Sequence, residues 1–238
     1  MIDTINNIRV IKSLSEIAND DKNTVAAVGN FDGVHLGHRK IIEHAKTIAD
    51  RVGARPSVLT FEPHPRALFQ TDGVPVRLST SASKARVLSE TGIDLIFELQ
   101  FDQTFAQLSA EEFVVKVLKN SLQLNHGVCG YDFVFGHRRR GTAEILETLG
   151  SQVGIGVTTI PAVSEKDGAV YSSTRVRQCL AEGDPIGASE LLGRPWSFSA
   201  FVETGDQRGR TIGFPTCNLR LHDLVQPSHG VYAVFVQI

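Results

Sequence analysis

The segment Gly29-Asn30-Phe31-Asp32-Gly33-Val34-His35-Leu36-Gly37-His38 carries two imidazoles three residues apart among three glycines. Residues three apart share one face of a helix, so His35 and His38 can donate hydrogen bonds to the same ligand. Gly33 and Gly37 remove Cβ atoms from the path of an approaching group and let it reach backbone amides. An anion satisfies this set, and a triphosphate satisfies it best. Histidines are also metal ligands, but no third ligand stands at a suitable spacing, and the intervening glycine fits phosphate better than zinc. A glycine-rich turn alone is commonly only a turn; the histidine pair is what points to phosphate chemistry.

Such a turn must be held by flanking elements. Val25 to Val28 read as a buried strand, and Ile41, Ala45, Ile48 and Val52 then recur at helical spacing. The turn therefore opens a helix, whose first amides are unpaired and carry partial positive charge. Further apolar runs follow at Ser57 to Phe61, Ile93 to Leu99, Gly127 to Tyr131 and Ile155 to Ile160, with helical patterns between most of them. This alternation predicts an α/β fold with a parallel sheet, in which ligands sit beyond the carboxyl ends of the strands. Ser109-Ala110-Glu111-Glu112 reads as a capping box ahead of Phe113, Val114, Val117 and Leu118, a helix expected to be scaffold.

Three later segments stand where a site is expected. In Phe61-Glu62-Pro63-His64-Pro65, two prolines stiffen a loop that bears an aromatic ring and an imidazole. Tyr131 to Gly141 combines Asp132, Phe133 and Phe135 with Arg138, Arg139 and Arg140. A flat ligand with phosphates can use all of these, because aromatic faces stack on planar rings and guanidinium forks match phosphate oxygens; the bland alternative is a solvated basic loop. Tyr171-Ser172-Ser173-Thr174-Arg175-Val176-Arg177 opens a helix that Gly183 and Pro185 close. Arg177 follows Thr174 by three residues, so a hydroxyl and a guanidinium share a face there, a second anion site unless the hydroxyls only cap.

The whole chain has 238 residues, enough for one good core and a small appendage. Its 24 basic and 26 acidic side chains nearly cancel, so no net field recruits nucleic acid or an anionic membrane, and small molecules are the expected partners. No apolar run approaches the roughly 20 residues a membrane helix needs, and the opening residues, with Asp3, Asn6 and Asn7, do not read as a signal peptide. A cytoplasmic location is expected. Cys129, Cys179 and Cys217 are odd in number and far apart, which predicts free thiols.

In this order, GNFDGVHLGH, TFEPHP, GYDFVFGHRRRG and SSTRVR resemble the bacterial bifunctional riboflavin kinase and FMN adenylyltransferase family, the FAD synthetases. His35-Leu36-Gly37-His38 also matches the signature of the nucleotidylyltransferase superfamily. The likeness continues through Leu192-Gly193-Arg194-Pro195-Trp196 and Gly209 to Asn218, which are similar to the start of that family's riboflavin kinase module. The resemblance implies a Rossmann-like nucleotidylyltransferase domain over 1–185 and an incomplete kinase-type β-barrel over 186–238. The implied reaction is attack by the phosphate of FMN on the α-phosphorus of ATP, helped by Mg²⁺, giving FAD and pyrophosphate. His35, His38 and Arg177 are then catalytic. Gly29, Asn30, Phe31, Asp32, Gly33 and Gly37 cradle ATP, with Ser172, Ser173 and Thr174 at its pyrophosphate end. Phe61, Pro63, His64, Asp132, Phe133 and Phe135 fall on the flavin side, with Asp132 open to a role at the nucleotide or its metal.

In the kinase-like part the corresponding residues are Gly209, Gly213, Thr216 and Asn218; Cys217 stands where the family usually has alanine. Gly230 to Phe235 looks like an early barrel strand, and the family's general-base glutamate lies beyond Ile238. Riboflavin phosphorylation is therefore expected to be absent, and the partial barrel is expected to be loose or to self-associate. Two other readings stay open. A transferase acting on pantetheine phosphate or nicotinate mononucleotide would share only the histidine turn, and a non-catalytic flavin- or nucleotide-binding protein would keep the pocket without turnover.

Overall fold

A computed structural model describes residues 4–5, 8–69, 75–164, 168–205 and 208–237. Its framework is one seven-stranded sheet. In chain order the elements that build it are β1 (Thr4–Ile5), β2 (Ile8–Ile11), β3 (Val25–Val28), α1 (Leu36–Val52), β4 (Pro56–Glu62), α2 (Pro65–Phe69), α3 (Ser81–Ser89) and β5 (Leu95–Gln100). There follow α4 (Gln103–Ala106), α5 (Ala110–Glu112), β6 (His126–Gly130), β7 (Val134–Phe135), β8 (Gly141–Thr142), α6 (Ala143–Gln152), β9 (Gly156–Ile160), α7 (Ser173–Glu182) and α8 (Pro185–Leu192). The sheet runs β1-β2-β5-β4-β3-β6-β9, parallel throughout except for the β1–β2 edge pair.

The five strands expected from the sequence are all present, and β1 and β2 add an edge that the sequence reading left out. β3 shows why the central strands are legible: Val-Ala-Ala-Val is buried at every position, as both faces of a parallel sheet require. Its side chains alternate between two cores. Ala26 and Val28 join Phe113, Val114, Val117 and Leu146 on one face, and Val25 and Ala27 join Ile42, Ala45 and Ala49 of α1 with Ala85 and Leu88 of α3 on the other. A third cluster packs Leu78 and Val225 against Val176, Leu180, Ala188, Leu191 and Leu192 of α7 and α8.

The capping box forms as expected, with Ser109 N–H donating to Glu112 Oε2 at 3.0 Å and Glu112 N–H donating to Ser109 Oγ at 3.1 Å. Beyond it, Phe113–Ser121 winds as a wider π-type helix. Gly183 ends α7 in the left-handed conformation, but Pro185 opens α8 rather than closing anything, with Asp184 capping it. Proline suits that first helical position because its missing N–H would be unpaired anyway.

The kinase-like region shows one two-stranded sheet, β10 (Val202–Glu203) against β11 (Asn218–Leu219). The strand expected over Gly230 to Phe235 is not formed. A strand needs a ladder partner for its amides and carbonyls, and none lies beside this segment among the described residues; Val231 and Phe235 are fully exposed.

Candidate active site

Leaving β3, the chain crosses α1 to β4 on one side, whereas β6 lies on the other. The crevice between the carboxyl ends of β3 and β6 is thus the point where the strand order reverses, the place where open α/β sheets bind ligands. A cavity of about 260 Å³ occupies it. Its wall includes Gly29, Asn30, Phe31, Asp32, His35, Gly37 and His38 from the first turn, and Ser172, Ser173, Thr174 and Arg177 from the start of α7. Two helix N-termini therefore face one cavity.

His35 caps α1 with its own ring: its Nδ1 accepts from His38 N–H at 3.2 Å. With Nδ1 accepting, the neutral ring carries its proton on Nε2, free to donate elsewhere. The two imidazoles stack at 3.6 Å between centroids. Burial, then the Arg177 guanidinium, lowers His35 to about 4. Burial also holds His38 well below its ordinary value, with His35 and Lys84 adding to the effect. Both rings are neutral donors near neutral pH. His38 Nδ1 is buried with no partner among the described residues. A Cβ at position 37 would crowd the pair, standing 3.1 Å from His35 Nδ1 and 3.3 Å from Tyr171 Cβ.

Asp32 has a different task from ligand binding through its carboxylate. It is buried, and accepts from Leu78 N–H at 2.9 Å, from the amide and hydroxyl of Ser79 at 3.2 Å each, and from Arg177 Nη1 at 3.0 Å. Burial pushes its carboxyl up, while Arg177 foremost draws it back down. Ser173 Oγ donates to the Asp32 carbonyl at 2.9 Å. Asp32 thus ties α7 to the histidine turn. Phe31 is likewise core, fully buried with its ring 5.1 Å from that of His38. Ser172 Oγ is engaged in capping, accepting from Arg175 N–H.

A second cavity, about 750 Å³, adjoins the first and is largely aromatic, lined by Phe61, Phe69, Phe101, Phe105, Phe113, Phe133 and Phe135 among others. Phe133 and Phe135 stack at 5.5 Å. Asn30, Arg66, Phe133, Val134 and Arg139 belong to both walls and mark the junction. Beneath it, Lys84 Nζ donates to Thr60 Oγ1 at 3.2 Å, and Thr60 Oγ1 donates to the Asn30 carbonyl at 2.9 Å. Lys84 is buried, with Glu98 at 3.6 Å and Glu62 at 3.8 Å.

The structure thus gathers most of the expected residues but redistributes some. Phe61, Phe133 and Phe135 line the aromatic cavity as placed. His64 and Asp132 line the smaller cavity instead; His64 is drawn back because its Nδ1 accepts from Arg66 N–H at 3.1 Å. Pro63 is exposed and lines neither cavity. Gly33 also lines neither: it takes φ +77° and turns toward Leu78 and Leu192. Gly213, Thr216 and Asn218 are exposed and Gly209 is half-buried, and among the described residues none beyond Arg177 lines either cavity. The sequence reading missed Arg66, Lys84, Phe101, Phe105 and Phe113. Phe113 was legible as an apolar helix position, but its double service as core and cavity wall was not.

The family model for FAD synthetase matches residues 17–175. The chain belongs to the FAD synthetase family. That matched span contains every residue of both cavities except Arg177. A second model, for riboflavin kinase, matches residues 192–238. The bifunctional riboflavin kinase/FMN adenylyltransferase of Escherichia coli K12 is 40% identical over 96% of the chain and 72% of its own length. Its Bacillus subtilis counterpart is 36% identical over 93% of the chain and 70% of its own length. A crystal structure from Streptococcus pneumoniae, described as a macrolide-efflux protein, matches with a TM-score of 0.80 at 32% identity, covering 94% of the chain and 72% of the other. Among the described residues no helix is long and apolar enough to cross a membrane.

Proposed function

We propose that this chain transfers the adenylyl group of ATP to the phosphate of FMN, and that residues 1–185 carry the reacting groups. The observation that supports this most directly is the meeting of a polar cavity, built at two helix N-termini, with an aromatic cavity at Asn30, Arg66 and Arg139. A triphosphate suits the first, because unpaired amides and the helix dipole favour anions. A planar tricyclic ring suits the second. The junction is then where an FMN phosphate oxygen meets the α-phosphorus: the new P–O bond forms there, the bond to the β-phosphate bridging oxygen breaks, and pyrophosphate leaves.

No protein nucleophile takes part. The residues act by positioning both phosphates in line and by stabilising charge as it moves to the leaving group. His35 donates from Nε2, and His38 stacks against it. Ser172, Ser173, Thr174 and Arg177 stand at the pyrophosphate end. Arg66 and Arg139 flank the attacking phosphate, to which guanidinium forks are matched. Mg²⁺ belongs to this proposal as a companion of the nucleotide, neutralising phosphate oxygens. No cluster of three His, Cys, Asp or Glu residues among those described could hold a metal ion by itself. Mg²⁺ characteristically binds substrate phosphates with one or two carboxylates, and Asp132, exposed on the wall of the smaller cavity, fits that role. A cytoplasmic setting accords with the three unpaired thiols.

The test is chromatographic separation of flavins after incubating the chain with Mg²⁺, ATP and FMN. FAD together with pyrophosphate is the expected result. FMN that binds but stays unconverted would move the non-catalytic binding reading to the front.

A further inference from the structure

Residues 193–196 fall outside the span matched by the FAD synthetase model and at the start of the span matched by the riboflavin kinase model, yet Arg194, whose Nη1 also donates to the Leu192 carbonyl at 3.3 Å, reaches the histidine turn. Arg194 Nη2 donates to the Gly33 carbonyl at 2.7 Å and its Nη1 to the Val34 carbonyl at 3.2 Å. Trp196 Nε1 donates at 2.9 Å to the carbonyl of Leu78, whose amide in turn holds Asp32. Gly193 lies so close to α1 that a Cβ there would stand 2.6 Å from Leu36 Cδ2.

The turn that Arg194 grips is conformationally expensive. Phe31, Gly33 and Val34 have φ of +49°, +77° and +45°, and a β-branched residue is rarely found there. Such backbone persists only where its surroundings over-determine it. The Val34 carbonyl shares a rigid peptide plane with the His35 amide, so a guanidinium that fixes the one fixes the direction of the other. A carbonyl released from this hold could turn toward the anion and repel it. Arg194 Nε is buried without a partner among the described residues, so its two terminal nitrogens carry the whole of its hold on these carbonyls.

We propose that Arg194 is a positioning residue of the adenylyl-transfer site, fixing the two carbonyls that precede His35 and thereby aiming both imidazoles. The start of the kinase-type region is then a working part of the first site, and displacing it would slow adenylyl transfer. This rests on the reading given under Proposed function.

The test compares Arg194→Gln and Arg194→Lys with Arg220→Gln, which removes an exposed charge paired with Glu203 in the same region. It uses FAD formation and the imidazole NMR resonances of His35 and His38 in the ligand-free chain. Misaiming groups that act in the transition state lowers kcat more than it raises KM. Arg194→Gln is therefore expected to lower kcat by about 100-fold, with both KM values within about threefold and both imidazole signals shifted. Arg194→Lys, which reaches one carbonyl but cannot fork to two, should recover part of the loss, and Arg220→Gln should match the parent chain. A kcat for Arg194→Gln close to that of the parent, a loss that disappears on cooling, or unmoved imidazole signals would each overturn the proposal. If Arg194→Gln does not fold, Arg194→Lys decides by the same readings. If the parent chain makes no FAD, the adenylyl-transfer reading itself fails, and the imidazole signals alone decide whether Arg194 aims the turn.

Discussion

In the proposed reaction the stacked imidazoles would combine a structural and a chemical duty in one pair of rings. His35 spends Nδ1 on capping α1 and keeps Nε2–H for a ligand; His38 lies against it. His38→Ala leaves the cap accepting from the same backbone amide, so we expect kcat for FAD formation to fall by about 100-fold or more while FMN affinity changes little, checked by steady-state kinetics beside FMN titration. Equal losses in both would remove His38 from the transition state. Protonation gives a second prediction. His35 and His64 are each lowered by burial to about 4, whereas an unfolded histidine titrates near 6.5. Between those values the unfolded chain binds more protons than the native one, so stability falls as pH drops from about 6.5 toward 4, by at most on the order of 3 kcal/mol for each ring. Urea midpoints measured from pH 7 to 5 should decline, and His64→Gln should flatten the slope; a pH-independent midpoint would contradict the burial argument.

Residue types announced both histidines in the sequence because two imidazoles around a glycine, at the end of a strand, are an unusual combination. Asp32 was legible as part of the same turn but not as its anchor. Its partners Leu78, Ser79 and Arg177 are 46 to 145 residues away in sequence, and no local pattern reports a hydrogen bond over that separation. Lys84 was invisible for a related reason: a buried lysine looks like a solvated one until Thr60, Glu62 and Glu98 are seen around it.

At the scale of elements, the central strands that the sequence identifies, such as β3 and β4, are buried on both faces, and the half-buried edge strand β9 was legible as well. β3 and β4 read as continuous apolar runs, whereas β2, at the sheet margin with Arg9 in it, carries too weak a pattern. The segment at Gly230 to Phe235 shows the converse. Its composition suits a strand, but pairing is a property of two segments, and composition describes one. The turn between β3 and α1 depends on Gly33, where a Cβ would stand 2.9 Å from Leu78 Cδ1 at φ +77°. Gly33→Ala is expected to destabilise the chain by about 1–3 kcal/mol and to disturb the histidine turn. Denaturant unfolding read beside FAD formation checks this; an alanine chain with unaltered midpoint and activity would show that the turn is not constrained there.

Across the whole molecule, the two ends of the chain differ in how they treat apolar surface. The sheet and its helices bury theirs in two cores, while Phe201, Ile212, Phe214, Val231, Val234 and Phe235 are exposed. Exposed apolar groups and short strand edges favour association. We expect sedimentation to reveal concentration-dependent self-association that Phe214→Ser and Phe235→Ser together diminish. A single sedimentation coefficient over a wide concentration range would rule it out.

The shared wall at Asn30, Arg66 and Arg139 has a consequence for turnover. On the proposed reading ATP would take one chamber and FMN the other, and FAD would be a single molecule with a foot in each. Tethering two binding groups makes the second contact intramolecular, so the joined ligand is retained more firmly than either half. On that reading FAD would keep contacts in both chambers after pyrophosphate leaves, so its release is a step to measure beside the chemistry.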